Sequence, residues 1–240
     1  MTTLRVGVVH PTPPFNSMPG DTGLEIELMT ALAAALGEPV DFVAVPGGDG
    51  SDFDSVFGRL GSGDYDCVAA GITVTPARED RATFLPPYLI SGQALAVDTG
   101  RLPQVHSIDD LQGLTIGVQR GSTGQPLAER LVAEGKAARS TVYDHGDIGA
   151  AVGDLTTAAC DAVLGLGPVL TELVKPLPGV EVVQRHLSVE DIAIAVTPAD
   201  QALAGRLRVA QAELEEDGTL QRIRRTWLGS PYADQTLGSL

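Results

Sequence analysis

The chain has 240 residues and a formal net charge of -15 at pH 7, and a surface this acidic repels phosphate backbones, which argues against a nucleic-acid partner. Its hydrophobic fraction is 43% against 4% aromatic, the composition of an ordered globular chain whose core comes from Ala, Val, Leu and Ile. No run approaches the ~20 apolar residues that cross a bilayer.

Residues 4–9 form a β-branched apolar run and predict a buried strand. Residues 10–21 are rich in Pro, Asn, Ser and Gly and predict a loop. Leu24, Leu28, Ala31, Leu32 and Ala35 recur at helical spacing and Gly37 stops the pattern, which predicts a helix over Leu24–Leu36. A second strand follows at 40–45, a turn at 47–51, a short amphipathic helix at 53–60 and a third strand at 66–71. Such alternation predicts a parallel-type sheet covered by helices.

A similar unit starts again near residue 114. Leu114-Thr115-Ile116-Gly117-Val118 echoes Leu4-Arg5-Val6-Gly7-Val8, and Asp161-Ala162-Val163-Leu164-Gly165 echoes the strand that begins Asp66-Cys67-Val68. Two matching pairs in the same order predict two lobes of similar α/β build. Strands are expected at 93–97, Val180–Gln184 and 191–196, then a helical region over 199–228 broken at Asp217-Gly218. The expected division is lobe one at 1–93 plus 189–240, with lobe two, 94–188, inserted; a ligand would bind where the strand ends of the two lobes face each other.

The richest local segment is Ala69-Ala70-Gly71-Ile72-Thr73-Val74-Thr75-Pro76-Ala77-Arg78. A strand ends at Gly71, Thr75 can cap a helix, and Pro76 suits its first position. Backbone groups near Gly71 and Thr73 are then free at the strand end, and Arg78, one turn into the helix, can reach back over them. Its guanidinium fork fits a carboxylate through two parallel hydrogen bonds; the local alternative is a surface pair with Glu79 or Asp80. In the second unit Gly121-Ser122-Thr123-Gly124 follows a strand at the corresponding place, where small residues and a helix N-terminus suit an anion. Phe53 and Tyr88 are each readable as cleft aromatics or as core.

Catalytic and metal patterns are missing from the sequence. There is no Gly-x-Ser-x-Gly, phosphate loop or His-Glu-x-x-His. The histidines His10, His106, His145 and His186 are scattered, and Glu25 and Glu27 point to different helix faces. Cys67 and Cys160 are read as buried free thiols, without disulfide, metal or cofactor. The stretch from Met1 to Val6 has neither the basic nor the apolar region of a secretory leader, so the expectation is a cytosolic chain or one whose leader has been removed.

Several pieces, in order and spacing, resemble the amino-acid-type extracellular solute-binding proteins (family 3) that serve ABC importers. They are Pro13-Pro14-Phe15, Gly23-Leu24-Glu25-Ile26-Glu27-Leu28, Gly61-Ser62-Gly63-Asp64-Tyr65-Asp66, the segment from Ala70 to Arg78, Phe84-Leu85-Pro86-Pro87-Tyr88, Asp109-Asp110-Leu111-Gln112-Gly113, the segment from Gly117 to Gly124, Asp217-Gly218-Thr219-Leu220 and Trp227-Leu228-Gly229. The resemblance implies an α/β, two-lobed periplasmic-binding-protein type II fold with two hinge strands. It implies that Arg78 holds a ligand α-carboxylate, that Ala70, Gly71, Thr73, Ser122 and Thr123 lie at the site, and that Phe53 stacks on the ligand. It also implies a membrane permease as partner and an extracytoplasmic location; monomer is the default.

Two positions depart from the family pattern. Leu166 stands where the family has an aspartate for the ligand α-ammonium, and Thr12 where it often has an aromatic. An ammonium buried beside leucine loses its charge partner, a cost of order several kcal/mol. The expected ligand is therefore an amine-free carboxylate, or an amino acid whose ammonium meets another acid such as Asp191 or Glu190. The alternatives are a cyclohexadienyl-dehydratase-like enzyme on the same fold, which would need an acid or base that the residues around Leu166 do not offer, and a cytosolic or sensory ligand-binding domain.

Overall fold

Two mixed five-stranded sheets organise the chain in the computed structural model, which describes residues 2–9, 11–17, 22–45 and 52–229. The predicted turn at 47–51 and His10 lie outside the described residues. The first sheet has β1 (Leu4–Val8) between β2 (Val40–Ala44) and β3 (Cys67–Val68), then β12 (Ala195–Val196) and β4 (Thr83–Phe84). β1 runs parallel to both neighbours, with Leu4 opposite Val40 and Val6 opposite Cys67, whereas β12 is antiparallel to β3 and β4. Helix α1 (Leu24–Leu36) makes the β1-to-β2 crossover and ends on Gly37 at φ 68, a left-handed cap suited to glycine.

The second sheet has the order β10 (Val180–Gln184), β6 (Gln93–Asp98), β9 (Ala162–Leu166), β7 (Thr115–Gln119) and β8 (Arg139–Tyr143). β7 is parallel to β8 and β9, and β6 is antiparallel to β9 and β10. Helices α3 (Gly124–Ala133), α4 (Ile148–Thr157) and α5 (Gly167–Val174) cover it. The chain passes between the sheets beside a small antiparallel pair, β5 (Leu89–Ser91) with β11 (Glu190–Ile192). The last helices, α6 (Gln201–Glu216) and α7 (Thr219–Leu228), return to pack on α1. Their Leu207, Leu214 and Ile223 share a core with Leu4, Val6, Leu28 and Leu32, an aliphatic core of the kind the composition demands.

Several elements are shorter than the sequence pattern suggests. The third strand spans only Cys67–Val68 because the chain leaves the sheet as Gly71 takes φ +61. The helix expected over 53–60 is a short 3-10 helix, Phe53–Phe57, followed by Gly58. The strand expected over 191–196 is split between β11 and β12, and at the break Ala193 donates to the Ile72 carbonyl. Short α2 (Pro76–Glu79) forms as the cap pattern predicts: the Thr75 hydroxyl oxygen accepts from the Arg78 N–H at 3.3 Å. Cys67 and Cys160 are buried and free.

Glu25 and Glu27 do part to different faces of α1. Glu27 accepts from the Trp227 indole N–H at 2.8 Å. Glu25 is buried, and its Oε1 accepts from the Gly71 N–H at 2.7 Å and the Tyr88 hydroxyl at 2.5 Å. This carboxyl thereby fixes the bend that opens β3 toward the second sheet. Burial lifts its pKa to about 7, against the lowering effect of those two hydrogen bonds.

A folded-state pKa raised above the unfolded value favours folding below about 4.5, and that contribution is lost as pH rises through about 7. Roughly 3 kcal/mol of pH-dependent stability is at stake. Glu25→Gln should flatten the decline in urea-unfolding free energy between about pH 4.5 and 7. A variant with the same slope as the parent would show that other groups carry it.

Candidate ligand-binding site

The loops that follow β1, β3 and β7, and the end of β9, converge on a cavity of about 50 Å³ between the two sheets. Every residue expected at the site lines it: Thr12, Phe53, Ala70, Gly71, Thr73 and Arg78 from the first lobe, and Ser122, Thr123 and Leu166 from the second. The cavity also brings in Phe15 and Gln119, from two segments that carry the resemblance, and Gln93, His145, Ile148 and Val169, which no local pattern singled out. A larger hollow of about 560 Å³ lies between α5, α7 and β5, with Trp227 on one side and Gly167, Pro168 and Thr171 on the other. It shares none of the expected site residues.

Arg78 is 4% exposed, and its carboxylate partner is neither Glu79 nor Asp80. Its Nε donates to Asp54 Oδ1 at 2.8 Å, Nη1 to the Thr73 carbonyl at 2.9 Å, and Nη2 to the Gly121 carbonyl of the opposite lobe at 3.2 Å. The guanidinium carbon sits 4.5 Å from the centre of the Phe53 ring, a cation–π arrangement. The same ring meets His145 edge-on, with centroids 5.1 Å apart. Phe53 is thus buried, but against cleft groups from both lobes. Gly71 must be small as well as left-handed, since a Cβ there would lie 3.2 Å from the Phe15 ring.

The second lobe meets the first at Arg120 and Gly121. The Phe53 N–H donates to the Arg120 carbonyl at 3.2 Å. Gly121 takes φ +70, and a Cβ there would stand 2.8 Å from the Phe53 nitrogen. Ser122 Oγ donates to the Gln119 carbonyl at 2.8 Å. Buried His145 packs beside Gln119, whose Nε2 lies 2.8 Å from its Nδ1. Leu166, Ile148 and Val169 make the adjoining wall apolar.

At the hinge end lies Glu190, 5% exposed. It accepts from Thr73 Oγ1 at 2.6 Å, Ser188 Oγ at 2.8 Å, Thr123 Oγ1 at 2.9 Å to each oxygen, and Gln93 Nε2 at 3.1 Å. Of the two acids considered for an ammonium, only Glu190 is held behind cavity residues; Asp191 is exposed. The elements that supply these contacts are 117 residues apart at their widest, so only the tertiary structure reveals the arrangement. Among the described residues no group of His, Cys, Asp or Glu is arranged to hold a metal ion, and no helix is long and apolar enough to cross a membrane.

The family profile of the bacterial extracellular solute-binding proteins, family 3, matches residues 4–230. The chain belongs to that family. It is 28% identical over 232 residues to the ABC transporter arginine-binding protein 1 of Escherichia coli (strain K12), covering 93% of this chain and 90% of that protein. Among solved structures it is similar to an ancestral arginine-binding protein bound to glutamine, with a TM-score of 0.82, 33% identity and coverage of 95% of this chain and 98% of that one. It is also similar to AncCDT-1, an ancestral amino acid-binding protein and a precursor of cyclohexadienyl dehydratase, with a TM-score of 0.78, 27% identity and coverage of 94% and 95%. The two-lobed solute-binding fold and its place among ABC-transporter binding proteins follow from these matches.

The Gly121 contact yields a test of closure. A Cβ at Gly121 is strained by the positive φ and collides with the Phe53 backbone across the cleft. Gly121→Ala should weaken binding of the best-bound amino acid or organic acid by about tenfold, for ~1–2 kcal/mol of strain. Small-angle X-ray scattering should show the ligand-saturated variant retaining a larger radius of gyration than the parent. Equal affinity and equal compaction would mean that closure does not need this approach.

Proposed function

We propose that the chain is the ligand-binding component of an ABC-type importer and that it closes around a small carboxylate-bearing solute, either amino-acid-like or an organic acid. The observation that carries this reading is Arg78. Of its five N–H groups, three are taken by Asp54, Thr73 and Gly121, and the other two remain for a ligand at the cavity. A buried guanidinium with paired donors is suited to a carboxylate. The arginine- and glutamine-related names of the relatives agree with a ligand that has such a group.

The mechanism follows from the hinge. We place the division at lobe one, 1–93 plus 189–240, and lobe two, 94–188, with β5 and β11 at the crossing. The cavity of about 50 Å³ is far below the ~300 Å³ of a small-molecule pocket, so the lobes must part to admit a solute. Contacts from both lobes then favour the closed form, which a membrane permease would read. We take the protein to act as a monomer, outside the cytoplasm, without cofactor or nucleic acid, and as a binder rather than a catalyst. The wall of Leu166, Ile148 and Val169 supports that last point, since it is apolar and leaves His145, packed edge-on against Phe53, as the imidazole of the lining.

Calorimetric titration with the standard L-amino acids and their deaminated counterparts tests the reading. Arg78→Ala should weaken every bound member by about a hundredfold, as when one partner of a buried charge pair is truncated. Arg78→Lys should recover only part, because a point charge cannot replace the fork. Binding unchanged in Arg78→Ala would reject the carboxylate assignment, and consumption of prephenate by the parent protein would reject the assignment as a binder.

A further inference from the structure

We propose that Glu190 makes this site select a ligand bearing an ammonium group, by turning the polar groups at the hinge end of the cavity into acceptors. The inference rests on the carboxylate assignment at Arg78 and names what the other end of the ligand carries. Glu190 does not line the cavity; it is a positioning residue that acts through Thr73, Thr123 and Gln93, which do.

The direction of each hydrogen bond around Glu190 is forced. A hydroxyl has one proton to give. Thr123 Oγ1 accepts from Gln93 Nε2 at 3.0 Å, so its proton goes to Glu190. Ser188 Oγ accepts from the Gln93 N–H at 2.9 Å and likewise donates to Glu190. Thr73 Oγ1 gives its proton to Glu190 at 2.6 Å. Thr73 and Thr123 therefore have only lone pairs left for the cavity. Gln93 is turned the same way: its Nε2 faces Glu190 and Thr123, which leaves Oε1 as a free acceptor. That oxygen is buried without a donor, on a side chain 2% exposed that lines the cavity.

Charge points in the same direction. Arg78 has the Asp54 carboxylate at 2.8 Å, which it shares with half-exposed Arg81 at 3.5 Å. Glu190 is buried among neutral donors and makes no ion pair with any described residue. A buried carboxylate without a counter-charge favours a cation nearby. Three N–H donors and a positive charge are what an ammonium supplies. Leu166, the cross-strand neighbour of Gln93, contributes no acid of its own. A ligand with its carboxylate at Arg78 and its ammonium toward the hinge satisfies both ends, whereas an amine-free acid leaves the Gln93 oxygen unpaired.

The test compares each standard L-amino acid with its α-deaminated twin, for example L-glutamine against glutaramate, by calorimetry on the intact chain. The parent protein should bind the amino acid about tenfold or more tighter than the twin. In Glu190→Gln the charge is gone, and the new amide must donate to at least one hydroxyl, which turns a proton toward the cavity. The ratio of amino-acid to twin affinity should then fall toward one, whatever the change in absolute affinity, and Leu166→Asp in the same background should raise it again. A purely structural role for Glu190 would weaken both members together and overturn the inference. So would a parent protein that prefers the twin, a comparison that needs no variant. If both members bind equally but Arg78→Ala abolishes both, the carboxylate reading stands and this one fails; if Arg78→Ala affects neither, or no pair binds, both fail.

Discussion

A guanidinium that is 4% exposed has lost most of its hydration, and the cleft is arranged around replacing it. Without compensation that burial costs several kcal/mol. The replacement comes from separate stretches of chain: the Asp54 carboxylate, the Thr73 and Gly121 carbonyls and the face of Phe53. Three of these belong to one lobe and one to the other. Arg78 is therefore held rigidly in its own lobe and ties that lobe to its neighbour through a single weaker contact at 3.2 Å. The short helix that carries it starts immediately after the strand end, so its guanidinium returns over the loop it has just left.

The cavity keeps its donors and acceptors on separate groups. Arg78 supplies donors, and the Glu190 network draws hydroxyl protons away from the cavity, with Thr73 bonded to both. The Leu166 side is apolar. A solute that meets this pattern is oriented before any detailed fit is made, because reversing it would place like polarities together. Glu25 performs a related task deeper in the first lobe, where it holds the Gly71 amide and Tyr88 and so sets the backbone from which Thr73 and Arg78 project.

Local sequence rules reveal the parts of this arrangement that are themselves local. The Thr75-Pro76 start of α2, the span of α1 with its Gly37 cap, the break at Asp217-Gly218 and the small residues at Gly121-Ser122-Thr123-Gly124 are properties of neighbouring positions. The resemblance adds Phe53, Thr12 and Leu166, and all three line the cavity. Strands of two or three residues, β4, β5 and the shortened β3, are too brief to show a period and exist because a partner strand pairs with them. Asp54, Gln93 and His145 carry no local signal either. Their roles arise from contacts 24, 30 and 26 residues away. Glu190 was nameable as an acid near the end of the second unit, but not the four side chains that converge on it.

The chain has one tryptophan, and its position relates it to lobe movement. The Trp227 indole is anchored to Glu27 on α1, and Trp227 borders the hollow whose far side is Gly167, Pro168 and Thr171 at the start of α5. Leu166 and Val169, on the other side of that same helical turn, line the ligand cavity. A rotation that swings α5 away from the cleft must move it relative to Trp227, changing how much water reaches the ring. The wavelength of the intrinsic emission then becomes an optical gauge of the angle between the lobes, built in without any label.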